Sequence, residues 1–166
     1  MLNKYILMEV ERMEYISTRG NYRSVKSAEA ISLGMVPNGG LFVPKNVPEL
    51  KLEEIFSKKE SSYQKLAEWI FNKYLSDFSS EEIKNSVEAA YKEENFPPAE
   101  KTPLIKLDDN TYILELWHGP TAAFKDMALQ ILPQLLVRAV KKLEVGKEIV
   151  ILVATSGDTG KAALEG

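Results

Sequence analysis

The chain contains no cysteine. Disulfides and thiolate zinc sites are therefore excluded, and a reducing cytoplasm is the expected location. Histidine is almost as scarce: His118 stands alone, which rules out metal centres built from several histidines, and no metal is expected. No run approaches the ~18 apolar residues of a membrane span, the longest uninterrupted one being Ile149 to Ala154. An excess of basic charge is also missing. Twenty-one Lys and Arg against 24 Asp and Glu leave a net charge of −3 with well mixed signs, which argues against a nucleic-acid footprint. The pair Lys141-Lys142 falls near the end of an expected helix, where it complements the helix dipole. The opening MLNKYILMEVERMEY meets acidic residues at once and has no small-residue cleavage site, so it does not read as a signal peptide.

What is present reads as a soluble globular chain of 166 residues, 45% hydrophobic and 27% charged. That length suits one domain, or a small domain plus part of another. No internal repeat or low-complexity linker interrupts it. Residues 1–12 are expected to be a disordered extension, with Met13 as an alternative start. Met13 to Gly20 reads as a short strand reaching a turn, and Ser27 to Leu33 as a short helix ended by Gly34. Pro37-Asn38-Gly39-Gly40 is a turn feeding an extended Leu41 to Pro44. Three helices follow: Leu52 to Phe56, then Tyr63 to Leu75 capped by Ser61 or Ser62, then one capped by Ser79 or Ser80. In the third, Glu82 stands near the capping-box position and Ile83, Val87 and Tyr91 recur every four residues. Phe96-Pro97-Pro98 breaks the chain, and a domain boundary is placed there, dividing 13–98 from 99–166.

Beyond the break the texture becomes α/β. Thr102 to Lys106 and Thr111 to Leu116 are expected strands around the turn Asp108-Asp109-Asn110. A helix is expected over Ala122 to Leu143, kinked at Pro133. Lys147 to Ala154 is apolar on both faces, as a central parallel strand requires. A last helix starts at Asp158 or Thr159. A parallel sheet needs further crossover units to cover both faces, so the chain reads as the front part of a larger α/β protein, cut in mid-architecture.

The segment after that strand, ATSGDTGKAALEG, places Gly157 and Gly160 ahead of a helix start, where converging N–H groups favour an anion. Gly160-Lys161 suggests a nucleotide P-loop, but the pattern fails twice. Thr155 stands where its first glycine belongs, and Ala162 where the magnesium-binding hydroxyl belongs. A small carboxylate or phosphate ligand held by Thr155, Ser156 and Thr159 remains in play. So does an ordinary strand-to-helix turn with Asp158 as N-cap.

Two segments together resemble a family. His118-Gly-Pro-Thr-Ala-Ala-Phe-Lys-Asp126 resembles the HGPT-x-x-FKD segment of threonine synthases, and VATSGDTGKAA resembles their TSGDTG segment. Tyr15-Ile-Ser-Thr-Arg-Gly20 and Gly34 to Pro44 resemble the same family's early region, and the landmarks run in its order from about 13 to 166. Such enzymes belong to the tryptophan-synthase-β type and use pyridoxal 5′-phosphate to turn O-phosphohomoserine and water into threonine and phosphate. The resemblance implies that Lys125 bears the cofactor as a Schiff base. It also implies that Ser156, Gly157, Asp158, Thr159 and Gly160 lie against cofactor and substrate, with Thr155, Ser156 and Thr159 on the substrate carboxylate. Ala122 and Lys161 depart from the residues common at their positions without disabling either motif. The family's phosphate-gripping glycine loop is expected beyond Gly166, so the chain alone is expected to be inactive and to bind the cofactor weakly or not at all.

Chemistry agrees with a lysine at that place. A lysine in water is protonated and non-nucleophilic near neutral pH, whereas an apolar neighbour and the positive end of a helix both disfavour the ammonium. Phe124 is the apolar neighbour on offer, and Asp126 is expected to cap the helix or pair elsewhere. His118 reads first as structural, its ring bonded to a backbone carbonyl, and secondarily as a site residue. Trp117 and Phe124 read as core. A serine/threonine dehydratase of the same fold and a non-catalytic fragment are the competing readings.

Overall fold

A computed structural model describes residues 12–166, so most of the extension expected at 1–12 lies outside the described residues. The N-terminal half begins with β1 (Tyr15–Ser17), then α1 (Ser27–Leu33) and β2 (Phe42–Pro44). β1 and β2 pair antiparallel with Ile16 opposite Val43. Helices α2 (Leu52–Phe56), α3 (Tyr63–Tyr74) and α4 (Ser80–Ala90) follow. The start of α4 is written in its side chains. Glu82 N donates to Ser79 Oγ (3.1 Å) and Ser79 N donates to the Glu82 carboxylate (2.7 Å), so two orphan amides of the first turn are satisfied reciprocally. Glu82 also pairs with Lys142 across the interface (3.1 Å).

The second half opens with a hairpin, β3 (Leu104–Lys106) and β4 (Tyr112–Leu114), with Ile105 opposite Ile113. Its turn forms because the Asp108 carboxylate accepts from Asn110 N (3.0 Å). Then come α5 (Asp126–Leu129), α6 (Leu132–Lys142) and α7 (Asp158–Glu165). The core is built by α4 and its flanks, where Ile83, Val87 and Phe96 are fully buried, together with Ala28 of α1 and Leu135 and Ala139 of α6. Helix α6 thus lies against α1 and α4, although Pro97-Pro98 separates them in sequence. The Pro97-Pro98 turn is closed by a buried lysine: Lys101 donates through Nζ to the carbonyl of Phe96 (2.6 Å).

Two expectations fail here. The helix expected over Ala122 to Leu143 is two helices, α5 and α6. Pro133 sits in the first turn of α6, where a missing N–H costs nothing, and it starts that helix rather than kinking a longer one. Nor is Lys147 to Ala154 a strand. Its backbone finds no ladder partner among the described residues, and its apolar side chains are exposed, Leu152 by 92%. Hydrophobicity marks a segment that wants two covered faces, but a strand exists only when neighbouring strands accept its hydrogen bonds.

Three tyrosines tie the helices together. Tyr15 donates to Tyr74 O (3.2 Å), Tyr91 donates to Met127 O (2.8 Å), and Tyr63 meets Tyr91 edge to face at 5.0 Å. Burial, aided by Asp77 and Tyr74, pushes the Tyr15 hydroxyl up to about 12. Burial also raises Tyr91 and Tyr63 above their ordinary value. A raised folded-state pKa stabilises the neutral phenol. That stability is complete below the unfolded value of ~10 and is lost as pH rises toward about 12. We therefore expect the melting temperature to fall between pH 10 and 12 by roughly the fold's share of these three groups. Tyrosinate absorbance should appear together with loss of helical circular dichroism. Ionisation of these tyrosines near pH 10 in a still-helical protein would contradict the packing described.

Candidate active site

Lys125 occupies the N-cap position of α5, half-buried, at the end of a turn that begins at Gly119. Its Nζ lies 4.8 Å from the centroid of the Phe124 ring. It pairs with no carboxylate among the described residues. Phe124 is itself 62% exposed and Trp117 50%, so neither is the core residue expected, and the apolar shield around the amine is not formed by the described residues.

Asp126 does the opposite of a surface charge. It is 0% exposed, and both carboxylate oxygens are engaged: Oδ2 accepts from Thr121 N (2.8 Å) and Oδ1 from Thr121 Oγ1 (2.6 Å). Gly119 is required by that packing, since a Cβ there would stand 2.5 Å from the Asp126 side chain. The turn closes through Ala122 N to Gly119 O (3.1 Å). His118 is held by a side chain and not by the backbone carbonyl expected: its Nε2 lies 2.6 Å from Glu115 Oε2. Sequence reasoning passed over Glu115 and Thr121. The signal for Glu115 was a lone acid inside the apolar stretch Leu114 to Trp117, one helical turn's spacing before the only histidine.

The second candidate segment is the loop into α7. The cap position of α7 is Gly157, not Asp158, which is the first helical residue. Gly157 has φ 139, a left-handed conformation that a side chain would strain. Thr155 Oγ1 organises the loop by accepting from Gly157 N (3.3 Å) and Gly160 N (2.9 Å). Ser156, Asp158 and Thr159 keep backbone N–H groups that meet no acceptor among the described residues. Thr155, Ser156, Gly157 and Asp158 are exposed, and Thr159 and Gly160 half-buried. Free amides at a helix start are the donor set an anionic ligand group needs.

The two segments are linked by packing of α5 against α7. No hydrogen bond joins Lys125 to the loop among the described residues. Two clefts, of about 650 and 530 Å³, lie along α6 and the 149–151 run and include neither segment. No helix among the described residues is long and apolar enough to cross a membrane, and no cluster of His, Asp and Glu among them could hold a metal ion.

Known proteins match both halves of this arrangement. Residues 14–91 match the family described as threonine synthase N terminus. Threonine synthase from Pseudomonas aeruginosa is 41% identical over 155 residues, covering 93% of this chain and 32% of that protein. The fold matches a PLP-bound threonine synthase from Brucella melitensis with TM-score 0.84 and 34% identity, over 92% of this chain and 32% of the other. Yeast threonine synthase matches with TM-score 0.82, also at 34% identity, with the same shares of 92% and 32%. The α/β fold expected from the sequence is thus the observed one, and the chain spans about a third of the length of the relatives it matches. The chain's N-terminal sequence thus matches the threonine synthase N terminus family, and its fold matches threonine synthases over about nine-tenths of its own length.

Proposed function

We propose that this chain is the N-terminal part of a threonine synthase, which converts O-phospho-L-homoserine and water to L-threonine and phosphate with pyridoxal 5′-phosphate. Residues 13–98 form its N-terminal domain and 99–166 the first part of its cofactor domain. The carrying observation is the Lys125 amine, free of any carboxylate partner among the described residues and mounted on a turn locked by a buried aspartate. The residues present fit the cofactor. Lys125 supplies the amine that holds it covalently, and Ser156, Asp158 and Thr159 supply unpaired amides for an anionic group. When bound, the cofactor supplies an electron sink for negative charge on the substrate α-carbon.

The chain's own residues do the rest. Lys125 Nζ, when free, takes protons from the substrate's α- and β-carbons and returns them to the α- and γ-carbons, while phosphate leaves the γ-carbon and water adds at the β-carbon. The loop from Thr155 to Gly160 orients the substrate by its α-carboxylate, with the hydroxyls of Thr155, Ser156 and Thr159 beside the amides. The 166-residue chain alone is inactive, a reading supported by the exposed apolar run at 149–153 and by the position of the clefts along α6, away from Lys125. The test is a turnover assay on a protein that carries this chain at the full length of its relatives. Phosphate release from O-phosphohomoserine, with threonine as co-product, is expected. Ammonia release from serine or threonine in its place would make the protein a dehydratase and overturn the assignment.

A further inference from the structure

We propose that Asp126 is the positioning residue of Lys125: through Thr121 it locks the Gly119–Ala122 turn and thereby sets where the lysine amine is presented. The inference rests on the cofactor reading above and goes one step beyond it. Asp126 is the first residue of α5, where a carboxylate would ordinarily face the amides of its own helix. Its oxygens turn backwards instead, one to Thr121 N and one to Thr121 Oγ1. The carboxylate is fully buried and has no cationic partner among the described residues, an arrangement that is costly unless every lone pair is used.

Two further features converge on the same turn. Gly119 has no room for a Cβ because the Asp126 side chain fills that place. Ala122 has φ 57, a left-handed conformation uncommon for a residue with a side chain. Such strain persists where the surroundings over-determine it, and it concentrates at functional sites. The hydrophobic core does not account for it, since Trp117, Ala122 and Phe124 are all exposed. Helix α5 cannot account for it either, because four residues do not hold a helix unaided. What the locked turn does determine is the backbone position of Lys125, whose amine lies over the Phe124 ring and pairs with no carboxylate among the described residues.

The test compares Thr121→Val, Thr121→Ser and Asp126→Asn in a protein that carries this chain at the full length of its relatives, each checked for intact helical circular dichroism. Each protein is treated with pyridoxal phosphate and borohydride, and the labelled lysines are located by peptide mass spectrometry. Thr121→Val removes the hydroxyl donor at constant volume, and Thr121→Ser keeps it. We expect Lys125's share of the label to fall about tenfold in Thr121→Val and Asp126→Asn and to be retained in Thr121→Ser. Unchanged labelling in Thr121→Val overturns the proposal, even if Asp126→Asn fails to fold. Should the unaltered protein itself show no preference for Lys125, the cofactor reading fails separately. The clamp is then judged with trinitrobenzenesulfonate, a plain amine reagent, whose rate at Lys125 must still differ between Thr121→Val and Thr121→Ser; equal rates overturn it.

Discussion

Replacing Lys125 by alanine should lower threonine formation at least about a thousandfold, in a protein that carries this chain at the family's full length. One side chain is asked to hold the cofactor and to move two protons, and no second amine stands in the motif to replace it. The fold should survive the change. Lys125 is half-buried and makes no side-chain hydrogen bond among the described residues, so the melting temperature should move by no more than a degree or two. Lys125→Arg should be equally inactive, because guanidinium keeps its proton at any working pH. Loss of activity with an intact fold places the effect in the chemistry. Retained activity would remove Lys125 from the mechanism altogether.

The largest effect on stability is expected at Phe96→Ala, about 3–5 kcal/mol. Phe96 is 0% exposed, tilts against Tyr91 at 5.8 Å, and belongs to the cluster that joins α4 to α6. Truncation leaves a cavity that the neighbours cannot fill easily. Its amide is bonded to Lys92 O (3.0 Å) and its carbonyl receives Lys101, so the backbone is held in place while the ring is removed. Total stabilities of 5–15 kcal/mol are usual, which makes this a large fraction. Urea unfolding followed by circular dichroism measures it. A loss below about 1 kcal/mol would mean that Phe96 does not sit at the joint between the two halves.

Local chemistry was legible in the sequence wherever it is complete within a few residues. Ser79 and Glu82 announce the start of α4 because a capping box needs only those side chains and their own amides. Asp108 and Asn110 announce the β3–β4 turn for the same reason. The motif around Lys125 was legible as a motif. Its geometry was not, because the partner of Asp126 is a threonine five residues upstream and no helical or strand periodicity relates the two. The single helix expected over Ala122 to Leu143 starts late because Ala122 enters a left-handed conformation, which alanine does not advertise, and it divides after Leu129, just before Pro133 opens α6. Trp117 and Phe124 were misplaced because size predicts burial only on a face turned toward the core. The strand expected at Lys147 to Ala154 shows the limit most plainly: its composition specifies what should cover it, and covering is a property of other segments.

The most direct test of the central claim is a map of where pyridoxal phosphate attaches, after borohydride reduction, in a protein that carries this chain at the full length of its relatives. If Lys125 is the cofactor lysine, the reduced adduct concentrates there and the exposed lysines, such as Lys59 and Lys161, carry only trace label. Label spread over the surface lysines, with Lys125 no richer than the rest, would contradict the account.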